Sequence, residues 1–215
     1  MNVRTVDPKS IDLEEFLNSW FDPKENAVET FESSPVTLPD GLREWFRVIS
    51  QWKIPLKGVK TIFPLSDMVE EDGKYIFMGD HGGWSWAFDP NVPLTVYEAK
   101  DDEPWRSLRG DWGDFLFFHV FTEAIETAPV VAWCADISES NLRRALNRFD
   151  EVSFTGSKWP GPGWRWYGTD GLIADAGPKQ ANRGRFAVTI GAKSKDFVDR
   201  LDLPIGAGWK VRKNC

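Results

Sequence analysis

Histidine and carboxylate side chains carry most acid–base and metal chemistry in proteins, and histidine is scarce in this chain. His81 and His119 are the two histidines among 215 residues. Asp80 and His81 lie at a glycine turn, with Asp89 following closely, so two carboxylates and one imidazole could bind a metal ion. No second histidine stands at a spacing typical of zinc sites. We therefore favour a structural role, in which Asp80 supports the turn by accepting hydrogen bonds from backbone N–H groups.

Other catalytic patterns are also missing from the sequence. It contains no nucleophile elbow, phosphate loop or dinucleotide fingerprint. Residues 160–163 read Pro-Gly-Pro-Gly, and proline lacks the N–H that a phosphate cradle needs. His119 shares a predicted helical face with Trp112, Phe115 and Leu116, which is typical of a core histidine. We expect no catalytic residue, no metal site and no cofactor, and the chain is predicted not to be an enzyme. An uncharacterised hydrolase is the third and weakest hypothesis.

Tryptophan is abundant, with twelve residues. Trp159, Trp164 and Trp166 could form a platform on which sugar rings stack. Aromatic residues at period two more often fill a core, and we favour that interpretation. The alternative function that these residues leave open is a ligand-binding or glycan-binding regulatory domain.

The net charge of −7 is unevenly distributed along the chain. Residues 1–135 contain 24 Asp or Glu and 12 Lys or Arg, whereas residues 136–215 contain 9 and 14. Two acidic clusters are predicted in loops, Glu70-Glu71-Asp72 and Asp101-Asp102-Glu103. Such a surface repels nucleic acid and attracts a basic partner. Solvation alone is the other explanation of these clusters.

Composition narrows the class of protein. The chain is 41% hydrophobic and 14% aromatic, which favours a packed core over disorder. No apolar run reaches the roughly 18–20 residues of a membrane helix, and the first residues lack the apolar segment of a signal peptide. Cys134 and Cys215 are too few for a disulfide framework or a zinc site. We expect a soluble cytoplasmic protein that does not associate with membranes.

Helical periodicity marks five regions. Ser10 is predicted to cap a helix through Trp20, and Pro39 to stand in the first turn of a second helix that reaches Ile49. A strongly apolar helix is predicted over residues 111–126. Ser138 is predicted to cap a fourth helix, and a short fifth helix is predicted to follow Ser194.

Strand patterns lie between these helices. Residues 75–89 predict a β-hairpin, because Trp84, Trp86 and Phe88 alternate along one face and glycines supply the turn. Further short strands are predicted over residues 59–63 and 94–97, and between residues 152 and 212. Helices interleaved with hairpins predict an α+β fold with a mostly antiparallel sheet. We place a first domain at residues 1–135 and an α+β extension at residues 136–215, packed on that domain.

Several of these elements occur in the order found in a known family. A helix opening with Leu38-Pro39 is followed by the hairpin sequence GDHGGWSWAFD at residues 79–89. A Val96-Tyr97-Glu98 strand, Trp105 and a helix containing Phe115-Leu116 come next. In this order the chain resembles the SUKH superfamily, named for domains related to a fungal cell-wall synthesis regulator. The resemblance covers about residues 38–126.

The resemblance implies a function. Many members of the SUKH superfamily are bacterial immunity proteins, which neutralise a polymorphic toxin, often a nuclease, by covering its active site. For this chain it implies a non-enzymatic protein-binding module that neutralises a cognate toxin. The acidic surface adds the expectations that this toxin is a basic protein and that the chain makes no direct contact with nucleic acid. The partner-binding residues expected from the charge pattern are Glu70, Glu71, Asp72, Asp101, Asp102 and Glu103.

Overall fold

Helices and largely antiparallel sheets build this protein, which confirms the predicted α+β class. The computed structural model describes residues 5–21, 36–49, 51–52, 60–108, 111–154, 159–180 and 182–214. The chain forms two compact units. The first unit consists of residues 12–119, and the second unit of residues 5–11, 120–154 and 159–214 within these described ranges.

The elements are numbered in chain order. The helices are α1 (Leu13–Trp20), α2 (Asp40–Ile49), α3 (Trp112–Thr127), α4 (Glu139–Ala145) and α5 (Lys195–Asp199). The strands of the first unit are β2 (Lys60–Ile62), β3 (Val69–Glu71), β4 (Lys74–Asp80), β5 (Trp84–Phe88), β6 (Val96–Lys100) and β7 (Arg106–Ser107). Those of the second unit are β1 (Thr5–Val6), β8 (Val130–Ser138), β9 (Asp150–Val152), β10 (Arg165–Thr169), β11 (Leu172–Pro178), β12 (Arg185–Ala192) and β13 (Lys210–Lys213).

The sheet of the first unit has the strand order β2-β4-β5-β6-β7, and β3 pairs with β4 beside this path. All its pairs are antiparallel, and Trp86 stands opposite Met78 and Glu98. The predicted hairpin is therefore confirmed as β4 and β5. Gly83 in its turn has a φ of +82°, a backbone conformation that glycine adopts without steric cost.

The aromatic face of this hairpin builds the core of the first unit. Trp86 and Phe88 are fully buried, and Phe115 of α3 lies 6.5 Å from Trp86 between ring centroids. Trp84 is half-buried and stacks on Trp86 at 6.4 Å. The predicted core face is thus confirmed for Trp86 and Phe88, while Trp84 lies at its margin.

The sheet of the second unit has the order β1-β9-β10-β11-β12-β8-β13, in which only β1 and β9 pair in parallel among the described strands. Helices α4 and α5 pack against β8 and β12. Leu142, Leu146 and Phe149 are buried in a core with apolar residues of these strands, such as Val188 and Ile190. The apolar surface that these three residues need is therefore supplied by their own unit.

The observed division differs from the predicted boundary at residue 135. That residue lies inside β8, which pairs with β12 on one side and β13 on the other. The second unit also takes in β1, which pairs with β9. Charge composition changes near residue 135, but hydrogen-bonded strand pairing decides which residues fold together.

Helix starts agree with the sequence in part. Asp12, and not Ser10, is the N-cap of α1, because its carboxylate accepts from the Glu15 N–H at 2.8 Å. Ser138 caps α4 as predicted, accepting from the Asn141 N–H at 3.3 Å. None of the described helices is long and apolar enough to cross a membrane.

Candidate functional site

The first acidic cluster lies on a hairpin and not in a simple loop. Glu70 and Glu71 belong to β3, which pairs with β4 through a two-residue turn at Asp72 and Gly73. Both turn residues have positive φ values, 50° for Asp72 and 72° for Gly73. Asp-Gly is the preferred sequence for such a tight hairpin turn, so this dipeptide was the sequence feature that could have revealed the strand.

The second acidic cluster follows β6. Asp101 has a φ of 50°, and its N–H donates to the carbonyl oxygen of Gly83 at 2.7 Å. The Asp101 carboxylate occupies the space where a side chain on Gly83 would begin. Asp102 and Glu103 are exposed beside it. This turn is therefore held against the β4–β5 turn.

The structure places the two clusters at opposite ends of the sheet. Glu71 pairs with Lys74 at the start of β4, whereas Asp101 contacts the turn after Asp80 at its end. Six steps of about 3.3 Å along β4 separate these ends by about 20 Å. The six predicted residues thus form two acidic sites on one unit.

Both clusters are exposed to solvent. Among the described residues, no Lys or Arg forms an ion pair with any of the six carboxylates. Lys74, the nearest cation in sequence to the first cluster, lies over the Tyr97 ring at 4.8 Å. The Tyr75 hydroxyl donates to Glu70, and this hydrogen bond to the carboxylate raises the pKa of Tyr75. The acidic potential of the clusters is therefore uncompensated locally.

An open cleft of about 470 Å³ adjoins the second cluster, lined by Asp101, Asp102, Asp80 and His81 among others. Asp80 has the structural role expected from the sequence, because its carboxylate accepts from the Gly82 and Trp84 N–H groups, each at 2.8 Å. The residues described contain no cluster of His, Cys, Asp and Glu that could hold a metal ion.

Buried charge in the first unit was not predicted from the sequence. Glu98 on β6 is 1% exposed and forms an ion pair with Arg106 on β7. The Trp86 indole N–H donates to the second carboxylate oxygen of Glu98 at 3.4 Å. Lys60 on β2 is also buried. The strand pairing that places Glu98 opposite Trp86 and Arg106 is not visible in sequence spacing.

His119 on α3 packs among aromatic side chains of the first unit. It is fully buried, with its ring 4.8 Å from Trp86 and 4.4 Å from Phe115 between centroids. Burial, and secondarily the charge of Lys60, hold the pKa of His119 well below its ordinary value. The imidazole is therefore neutral near pH 7, as expected for a core histidine.

Of the three tryptophans considered for a stacking platform, Trp166 lies in the core of the second unit. Trp166 is 7% exposed and packs edge-on against Phe154 at 5.8 Å. Trp164 lies against the backbone of Gly177, where an added side chain would collide with the indole. Trp159 and Trp164 are half-buried. The core interpretation of these aromatics is supported for Trp166.

A groove in the second unit was not foreseen from the sequence. It has a volume of about 580 Å³ and lies between α4 and strands β9 to β12. Its lining mixes apolar residues with four charged ones, Glu139, Arg143, Glu151 and Arg165. This volume lies within the range of pockets that hold small molecules.

Comparisons of the chain with models of protein families, with curated proteins and with solved structures find no match to any of them. The acidic clusters and the groove are therefore interpreted from their own geometry and charge.

Proposed function

We propose that this chain is a non-enzymatic protein-binding module, an immunity protein that binds and neutralises a basic toxin in the cytoplasm. The observation that carries the proposal is the pair of exposed acidic clusters on the first unit, whose charges are not neutralised locally. A nuclease toxin is basic where it binds phosphate, so an acidic inhibitor gains association rate from charge complementarity. The SUKH-like order of elements in the sequence supports the same function.

The geometry refines how such a partner would bind. A standard interface buries about 800 Å² on each partner, so one interface could reach both clusters only across the length of the sheet. Asp101 is partly committed to the turn against Gly83, which leaves Asp102 and Glu103 as the freer charges of the second cluster. We propose that the two clusters contribute separately to association.

The test is the association rate with products of the neighbouring genes, measured by biolayer interferometry at graded salt. One variant carries Glu70→Lys, Glu71→Lys and Asp72→Asn, and the other Asp101→Asn, Asp102→Lys and Glu103→Lys. Asparagine is chosen at Asp72 and Asp101 because their φ values are positive and asparagine tolerates that conformation. Each variant then changes charge without adding backbone strain.

The variant whose altered cluster faces the partner should associate at least about tenfold more slowly than the parent chain at low salt. Its dissociation rate should change less. The association rate of the parent chain should fall as salt is added, since the Debye length shrinks from about 10 Å at 0.1 M to about 3 Å at 1 M. The association rate of the variant should lose much of this salt dependence. Asp170→Lys with Asp196→Lys, two exposed sites of the second unit, is the control. Unchanged association in both cluster variants would exclude the acidic sites, and failure to bind any neighbouring product would count against the immunity function.

A further inference from the structure

The groove of the second unit is built by one helix face and one sheet face. On α4 and just beyond it, Glu139, Leu142, Arg143 and Leu146 recur at helical spacing and line the same side of the groove. Opposite them lie residues that stand side by side across the strands. Arg165 pairs with Ala176, Tyr167 pairs with Glu151, and Pro178 pairs with Phe186. The groove therefore has two walls fixed by regular structure.

The floor and the rim of the groove differ in chemistry. Leu142, Leu146 and Ala176 on the floor are buried and belong to the apolar core of the unit. The rim carries two pairs of opposite charge. On α4 the Arg143 guanidinium donates directly to Glu139, so these two opposite charges are already paired with each other.

The second pair, on the sheet, is incompletely engaged. The Arg165 guanidinium and the Glu151 carboxylate are 3.9 Å apart, beyond the 2.7–3.2 Å of a hydrogen bond. The Arg165 side chain is 64% exposed, and that of Glu151 is 31% exposed. Arg165 also donates to the Tyr167 hydroxyl, whose pKa burial raises. Donors on Arg165 and acceptor positions on Glu151 thus remain for a ligand.

We propose that this groove binds a zwitterionic α-amino acid with a bulky apolar side chain. The ligand carboxylate is held by Arg165 and the Tyr167 hydroxyl, and its ammonium group by Glu151. The apolar side chain lies on Leu142, Leu146 and Phe186. This inference is independent of the proposed toxin-binding function, which rests on the first unit.

Charge complementarity favours a zwitterion over a ligand that is only an anion or only a cation. An anion placed at Arg165 meets the neighbouring charge of Glu151, and a cation placed at Glu151 meets Arg165. A ligand with both charges on one carbon satisfies both groups, which are already at a short separation. Charge-assisted hydrogen bonds of this kind are the stronger ones in proteins, and the apolar floor favours a large side chain over a small one.

The proposal is tested by calorimetric titration of the full chain with L-phenylalanine and three relatives. N-acetyl-L-phenylalanine keeps only the negative charge, L-phenylalaninamide keeps only the positive charge, and glycine lacks the side chain. We expect L-phenylalanine to bind. N-acetyl-L-phenylalanine and L-phenylalaninamide should each bind at least about tenfold more weakly, because each loses one charge-assisted hydrogen bond. Glycine should also bind more weakly, because it has no apolar side chain to place on the groove floor.

Two variants assign the ligand groups to residues. Arg165→Gln should weaken L-phenylalanine roughly tenfold and abolish its advantage over L-phenylalaninamide. Glu151→Gln should instead abolish its advantage over N-acetyl-L-phenylalanine. Arg144→Gln is the control, since Arg144 is an arginine of the same unit on α4 but pairs with Asp202 and does not line the groove. It should bind L-phenylalanine as the parent chain does.

Thermal unfolding midpoints close to that of the parent chain establish that each variant is folded. The proposal would be overturned if L-phenylalanine gave no binding signal in the titration, or if L-phenylalanine and its N-acetyl derivative bound with equal affinity. Unchanged affinity in a folded Arg165→Gln variant would overturn the assignment of the carboxylate to Arg165.

Discussion

The indole ring of Trp86 lies edge-on to the imidazole of His119, with ring centroids 4.8 Å apart and ring planes inclined at 71°. This contact joins β5 to α3 at the centre of the first unit, where both side chains are buried. It also places a titratable group in an apolar setting, and the same indole donates to Glu98, the ion-pair partner of Arg106. The stability of the first unit should therefore depend on pH through His119.

Truncation of Trp86 should be strongly destabilising. Trp86→Ala removes a fully buried indole and should lower the free energy of unfolding by about 3–5 kcal/mol, as large aromatic cavities do. Trp84→Ala is the matched comparison, because Trp84 is on the same strand but half-buried, and its loss should be smaller. Urea unfolding measures both values. Equal costs would show that burial does not distinguish the two side chains.

His119 should make stability fall in mild acid. Its pKa in the folded chain lies below the ordinary value of 6.5, so below pH 6.5 the unfolded chain binds a proton that the folded chain does not. The free energy of unfolding should then decrease as pH falls from 6.5, by up to about 1.4 kcal/mol per pH unit. The measurement is urea unfolding of the parent chain and of His119→Gln between pH 7.5 and pH 5.

The difference between these two proteins isolates the histidine from carboxylates that titrate at lower pH. His119→Gln should show a shallower dependence between pH 6.5 and pH 5. Parallel curves for the two proteins in this range would contradict the neutral, buried state of His119.

Removing the cation from the buried ion pair should cost more than removing both partners. Arg106→Met leaves Glu98, which is 1% exposed, without the guanidinium that it pairs with, and should cost about 3 kcal/mol. Arg106 itself is 36% exposed, which places the cost at the lower end of the usual range. The double variant Glu98→Met with Arg106→Met should recover part of the loss, as chemical denaturation would measure. A double variant less stable than Arg106→Met would exclude this account.

Adjacent glycines in the β4–β5 turn should respond differently to alanine. Gly83 has a φ of +82°, so Gly83→Ala should cost about 1–2 kcal/mol of backbone strain. An added methyl would also displace the exposed Asp101 carboxylate. Gly82 is not in this conformation, and a methyl there meets Asp80 oxygens only at 3.4 Å, so Gly82→Ala should be nearly neutral. Thermal unfolding at matched pH compares the two, and equal shifts would argue against the turn geometry.

Local sequence patterns predicted elements whose determinants are close together in the chain. Alternation of Trp84, Trp86 and Phe88 predicted β5, and the apolar surface of residues 111–126 predicted the buried helix α3, because both depend on periodicity within one segment. The cap at Ser138 was likewise local. The Asp72-Gly73 turn was equally local, but the neighbouring acidic residues led to the prediction of a loop where strand β3 lies.

By itself, then, the sequence determined the α+β class, the central hairpin and the acidic character of the first half of the chain. The tertiary structure alone decided which charges lie together. It separated the two acidic clusters along β4, buried Glu98 with Arg106, and placed Glu151 beside Arg165 in the groove. These relations depend on strand order and register between distant segments, which are set by the packing of whole faces and not by any local pattern.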